Sequence, residues 1–447
     1  MKKISVYLLT LILLISFTGT LSFSASEAVG SVTSAKTPVN SAKLLYSKSF
    51  GANYKGAPTT PVVADDTLIV VSGVKLYKLD AKSGKELQSV KMTGSTLYGT
   101  VCPIVAEGKI FVQLDGGIVQ AFDYESMESL WIYTDALAGQ ALCPITYDDG
   151  FIYTGFWNGE TDYANYVCLN TADENTNRTD EQKSAKWTYK SKGGFYWAGC
   201  VVNGNYVVLG KDDGKNESTG DSKIVSLNKK NGKSVSTLNV SGDVRSSVIY
   251  DSQTKSYYTA SKSGYVYKFS MNTSNGKLSS LKSYKTSGAV TATPIVYNGR
   301  LYTGCQKGSA GEFVVLDCNT MNRIYTADML GYPQGTMLVS NGYEAENGKI
   351  YIYSTYNKIP GGITVFEDST GQTNAVRTEL YAPPEEMSQY CVSGITAGND
   401  GTLYYKNDSG NIFAVGSNSG FWYSLGKMLG NIIAFFINIL RMLSGLG

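Results

Sequence analysis

The sequence predicts an all-β fold built from eight copies of one four-strand unit, and three observations carry that reading. The first is self-similarity. "TPVVADDTLIVVSGVKLYKLDAKSGKELQSVKM" is followed by "CPIVAEGKIFVQLDGGIVQAFDYESMESLWIYT", and six further copies end with "GITAGNDGTLYYKNDSGNIFAVG". The second is spacing: Pro61 to Pro103 is 42 residues, Pro103 to Pro144 is 41, and Pro144 to Pro294 is 150, which holds three longer copies. The third is pattern, since each copy runs through short segments rich in Val, Ile, Tyr and Thr separated by polar turns. Four-strand units at this period are the blades of a β-propeller. A lone blade cannot cover both faces of its sheet, so eight of them must stack into a ring.

Taken in order, residues 1–26 place Lys2 and Lys3 before an apolar stretch and then small residues, the layout of a secretory signal. The chain is therefore expected to be exported. No Cys precedes Cys102, so no thiol stands near the cleavage region to carry a lipid. Residues 27–42, rich in Ser, Thr and Ala, read as a flexible linker. The propeller is expected over 43–419. Its eighth copy stops after "NIFAVGS" one strand short, while "KLLYSKSF" (43–50) is a strand without a copy of its own. An open edge strand invites aggregation, so the N-terminal strand is predicted to complete the eighth blade.

Within the first copy, "KLYKLDAKSGKEL" reads as a third strand, a turn and the start of a fourth. Asp80 is placed to accept hydrogen bonds from the turn's N–H groups, and Gly84 to supply the positive φ that closes it. The turn recurs as "NKKNG" (228–232), "NTSNG" (272–276) and "EDSTG" (367–371). Two copies carry Met127 and Met321 in place of the Gly, and those turns are expected to adopt another geometry. A feature repeated around a ring is architecture.

The "YKLDAKSGKEL" segment, with Trp131 and Trp187 at the fourth-strand position of later copies, resembles the repeat of pyrroloquinoline-quinone-type (PQQ-like) propellers. The resemblance covers about residues 43–419. It implies either of two activities, because the family holds quinoprotein dehydrogenases and a non-enzymatic branch. That branch includes the eight-bladed propeller subunit of the outer-membrane β-barrel assembly machinery. A quinoprotein would bring a stacking Trp, an adjacent-Cys disulfide, a bound calcium and a catalytic Asp. This chain has no Cys–Cys pair and no CxxCH motif, and it lacks the lipidation Cys of the assembly subunit. Trp131 and Trp187 are assigned to packing between blades.

Composition narrows the chemistry further. No His occurs in the chain, which removes Ser–His–Asp and Cys–His catalysis and His-bound zinc or haem. Removing the signal leaves 37 basic against 37 acidic residues (39 less Lys2 and Lys3, against 37), a balance that argues against nucleic acid. The seven Cys include Cys102 and Cys143, both directly before a Pro; they read as small buried residues, with a bridge between them as the alternative. The acidic run "KDDGKNESTGD" (211–221) lacks the spacing of a calcium loop and reads as a solvated loop. No catalytic, cofactor or metal residues are assigned. The competing reading is an enzyme, a quinoprotein or a carbohydrate-active propeller.

Insertions in repeat proteins gather where binding is done. The longer loops between second and third strands, and the connections between blades, open on one face. They bring Trp157, Tyr163, Phe195, Tyr196, Trp197, Tyr332, Tyr356 and Tyr390 to an expected rim for a protein or glycan partner. After residue 420 the composition turns apolar. Ser424, Lys427, Asn431, Asn438 and Arg441 draw one polar stripe along a helix whose other face holds Trp422, Leu425, Leu429, Ile432, Ile433, Phe436, Ile439 and Leu440. An amphipathic helix at a membrane surface is expected over 420–447. The whole is read as an exported, non-catalytic scaffold of the cell envelope.

Overall fold

A computed structural model describes residues 31–51, 57–96, 101–217 and 219–417. The expected signal segment and tail helix lie outside these residues. Among the described residues no helix is long and apolar enough to cross a membrane, and a single α-helical turn occurs, Glu344–Asn347.

The first blade shows the unit: Val62–Ala64, Thr67–Ser72, Lys75–Asp80 and Glu86–Lys91 pair antiparallel in chain order. Seven blades follow this plan without a break in strand order, apart from an insertion in the third. The eighth takes Thr396–Ala397, Leu403–Lys406 and Asn411–Gly416 from the C-terminal end and its outer strand, Lys43–Ser49, from the N-terminal end. Lys43 lies opposite Gly416, and Ser49 opposite Asn411. The predicted closure is what the chain builds. Eight hydrophobic clusters, each shared by two neighbouring blades, complete the circle, the last joining Leu68, Val70 and Leu79 to Tyr404, Ile412 and Ala414.

The recurrent turn explains how blades grip one another. Asp80 Oδ1 accepts from Ser83 N at 2.8 Å and Ser83 Oγ at 2.5 Å, and Gly84 takes φ +68°. A Cβ on Gly84 would sit 2.5 Å from the ring of Tyr46, which belongs to the eighth blade and donates its hydroxyl to Ala81 O at 2.7 Å. Trp187 of the third blade lies in the same way beneath Gly232 of the fourth, its indole N–H on Lys229 O at 2.8 Å. The glycine is thus required twice, for its φ and for the aromatic ring of the preceding blade.

Met127 and Met321 correct the expectation of a different turn. They hold φ +58° and +64° and donate to Asp123 O and Asp317 O, as Gly84 does to Asp80 O. Each side chain is buried in the cluster shared with the preceding blade, so apolar burial offsets the cost of a left-handed backbone. The "EDSTG" copy departs instead: its turn opens at Ser369, which lies opposite Lys349 and accepts from Gln372 N, while Asp368 on the strand before it receives Arg300 Nη1 at 2.8 Å and Tyr302 O–H at 2.7 Å from the sixth blade.

Two short strands lie outside the repeat. Residues 31–42, read as a linker, are built into the ring. Ser31–Thr33 pairs parallel with Leu338–Ser340, the innermost strand of the seventh blade, and Tyr353 O–H reaches Thr37 Oγ1 at 2.7 Å and Pro38 O at 2.8 Å. Composition misled there because three backbone pairings need no apolar periodicity. Glu181–Lys183, inside an insertion of the third blade, adds a parallel strand to the outer edge of the second, beside Trp131–Tyr133. Trp131 and Trp187 are buried between blades. All seven Cys are thiols. Cys143 Sγ faces Ala198 O at 3.4 Å, whereas Cys102 engages Thr60, so the two turn toward opposite neighbours and do not bridge.

The turn geometry makes a paired prediction. Gly84→Ala adds a clash with a pinned ring to the left-handed cost and should destabilise by about 3 kcal/mol. Gly371→Ala has φ +83° but nothing within 4 Å, so about 1 kcal/mol is expected. Urea unfolding of both variants checks the difference.

Candidate functional site

The expected rim residues separate into three groups. Phe195 is fully buried against Tyr166, ring centroids 5.0 Å apart, and Tyr356 is buried between the sixth and seventh blades. Neither can meet a partner; loop aromatics flanked by Gly193, Gly194, Gly361 and Gly362 fold inward because the glycines let the backbone close over them. Tyr332 and Tyr390 stand apart, Tyr332 O–H paired with Thr291 Oγ1 at 2.9 Å and Tyr390 exposed. The remaining four share one sector between the third and fourth blades.

There, Trp157 comes from the loop between Phe151–Gly155 and Tyr163–Asn170, and Tyr196 and Trp197 from the connection that precedes Val201–Asn203. Trp157 meets Tyr196 edge to face at 5.2 Å, and Tyr196 meets Trp197 at 4.9 Å. Tyr163 is exposed, with Lys190 Nζ 4.8 Å from its ring centre. The indole N–H groups of Trp157 and Trp197 are buried without a protein acceptor. Trp197 also carries φ +56°. A bulky residue in that region costs about 1–3 kcal/mol, and an unpaired buried donor a further 1–3, roughly. Such strain gathers at functional positions.

Sequence reading missed the charged group beside these rings. Arg245, from the connection between the fourth and fifth blades, stacks 4.5 Å over Tyr196. Its Nη2 donates to Glu160 at 2.5 Å, Asp212 at 2.7 Å and Asp243 at 3.1 Å. Asp212 belongs to the acidic run read as a solvated loop, yet it and Asp243 are fully buried. The carboxylate oxygens lie within 4.8 Å of one another, a spacing that could hold a metal ion, but the guanidinium is the cation they surround. Burial pushes the Asp212 carboxyl well above the usual carboxylate range against the pull of Arg245, and it raises Asp243 as well. Three loops from separate blades supply these residues at no fixed spacing, so no sequence motif announces them.

A cavity of about 380 Å³ lies on the ring axis. The residues just before the first strands line much of it: Thr60, Cys102, Thr293, Thr336 and Gly394, joined by Trp197, Thr291, Gln334 and Thr396, with Ser31–Thr33 beside them. Val32 also borders a second cavity of about 410 Å³ among the first strands of the third to sixth blades. Among the described residues Asp65 is the one charged residue of the axial lining. The thiols nearby are unreactive in character: burial pushes Cys143 up to about 12 and Cys200 up to about 11.

Residues 29–149 match the family model described as outer membrane protein assembly factor BamB. The ring is a propeller of the PQQ-like repeat type. Among solved structures, BamB from Moraxella catarrhalis is similar at 12% identity and a TM-score of 0.54, over 84% of this chain and 100% of that one. The quinohemoprotein alcohol dehydrogenase ADHIIG from Pseudomonas putida HK5 is similar at 12% identity and 0.60, over 85% and 76%. A europium-containing methanol dehydrogenase is similar at 11% identity and 0.60, over 86% and 96%. These likenesses concern the fold. Among curated proteins no sequence matches the chain. The quinone cofactor that the repeat type implies is a tricarboxylate, and the axial lining offers it no Lys or Arg among the described residues. The residues present do not fit that group.

Because Asp212 and Asp243 titrate above their unfolded values, the folded chain keeps protons that the unfolded chain releases. The stability from the protonated cluster is full below about pH 4 and is lost as pH rises through the raised values. The thermal midpoint should therefore fall over that window, and Asp212→Asn should flatten the fall. Arg245→Met, which takes away the hydrogen-bonded cation that these three acidic groups surround, should cost about 3–5 kcal/mol at neutral pH. Thermal unfolding across pH measures both.

Proposed function

We propose that this protein is an exported, non-catalytic scaffold of the cell envelope whose rim between the third and fifth blades holds a protein partner. The observation that carries the reading is the Trp157–Tyr196–Trp197 cluster locked to Arg245. Trp, Tyr and Arg dominate the energetics of protein interfaces, above all when their positions are fixed before the partner arrives. Glu160, on the loop that carries Trp157, and exposed Tyr163, which opens the strand after it, supply a polar, accessible edge.

The same geometry weakens the enzyme reading. The acidic groups that would serve as acid or base are held on Arg245, and among the described residues the axial cavity offers no cation to a quinone. The match to an outer membrane assembly factor over residues 29–149 supports an envelope setting. The tail, residues 420–447, would keep the propeller near a membrane surface.

Envelope extract should be probed with the chain from residue 27 onward, a form ending at Ser419, and a Trp157→Ala, Tyr163→Ala variant. A partner kept by the shortened form and lost by the double variant is the expected result. Capture that depends on the tail alone would overturn the rim reading. Stoichiometric uptake of pyrroloquinoline quinone with calcium, followed by its absorbance, would move the protein to the enzyme class.

A further inference from the structure

The axial cavity carries an inference separate from the rim. We propose that it is a binding site for a small, neutral, polyhydroxylated ligand, a sugar of one or two rings entering from the rim side. Its volume of about 380 Å³ lies in the range of small-molecule sites. Its chemistry excludes the other classes. Among the described residues no Lys or Arg lines it to take an anion, Asp65 alone is a poor match for a cation, and the surface it presents is more polar than apolar, which disfavours a lipid or aromatic ligand.

What the walls present is a set of polar side chains, each with one hydrogen-bonding function held by the protein and another left over. Thr293 Oγ1 accepts from Ser247 N at 3.0 Å, so its own hydrogen is left to donate. Thr396 Oγ1 donates to Pro61 O at 2.8 Å and keeps its lone pairs to accept. Gln334 Oε1 is taken by Asn357 Nδ2 at 2.6 Å, which leaves the amide N–H groups of Gln334 to donate. Alternating donors and acceptors on fixed backbone suit the hydroxyls of a sugar, each of which needs both.

Trp197 gives an independent pointer. It lines this cavity, its backbone is held at φ +56°, and its indole N–H is buried without a protein acceptor. A side chain in that condition has something to gain from a ligand. A small rotation would present the N–H to a sugar oxygen while the ring supplies a flat face for the C–H edge of a pyranose.

The test is titration of the purified full chain with maltose, cellobiose and N,N′-diacetylchitobiose, followed by calorimetry and tryptophan fluorescence. Saturable binding of at least one sugar is expected. Trp197→Phe, which keeps a ring and deletes the N–H, should weaken it about tenfold, the loss of one hydrogen bond. Thr293→Val should do the same through a different wall, which covers the case in which one variant does not fold. Leu87→Ala, on the exposed outer strand of the first blade, should leave sugar binding unchanged, and because the rim reading is tested by partner capture, its failure and failure here are distinguishable. No saturable signal from any of the three sugars, or binding that survives both cavity variants, would overturn the proposal.

Discussion

An eighth sheet of three strands would expose a row of unpaired N–H and C=O groups, and it would leave the first and last clusters of side chains half covered. The pairing of Lys43–Ser49 with Asn411–Gly416 removes both costs at once. Tyr46, carried on that borrowed strand, then fits beneath Gly84 of the first blade and ties the seam to its neighbour. The other inter-blade contacts are local in the chain and could form in any partial array. They become a rigid ring only when this one long-range pairing is made. The positions of the rim loops and of the axial cavity both follow from it.

Much of this architecture was legible in the sequence. Counting strands left the eighth copy one short and Lys43–Phe50 one over, and only closure balanced the two. Trp131 and Trp187 could be placed between blades because they recur at one position of the repeat. Other features were hidden because their cause lies in a neighbouring blade. Met127 and Met321 look unfit for a left-handed turn until the pocket that receives each side chain is seen. The "EDSTG" segment matches the turn motif in composition, but its turn opens two residues later, at Ser369, and its Asp368 serves Arg300. Residues 31–42 and Glu181–Lys183 are polar, yet they add strands through backbone pairing that leaves no side-chain pattern.

The candidate site was legible in half. Loop length and aromatic content pointed to one face, and Trp157, Tyr163, Tyr196 and Trp197 share one sector of it. Phe195 and Tyr356 went inward because adjacent glycines let the chain fold over them, which loop position alone does not reveal. Arg245 with Glu160, Asp212 and Asp243 was beyond the sequence, since a single buried cation collecting three carboxylates from three loops has no spacing rule. That cluster does for the rim what the closing strand does for the ring: it joins parts distant in sequence into one rigid surface.

The strand Ser31–Thr33 gives the molecule a mechanical polarity. It runs parallel to Leu338–Ser340, which follows a rim connection and leads to a hairpin, so the chain enters the axial channel from the rim and descends. Asn411–Gly416 runs the same way and ends on the hairpin side. A load applied between the two ends of the described chain therefore passes along the channel wall and through the seventh and eighth blades. The first bonds to bear it are three parallel residue pairs loaded in shear, followed by the Thr37–Tyr353 contact and then the closing strand itself. The seam that completes the ring is also the place where tension on the ends would be felt.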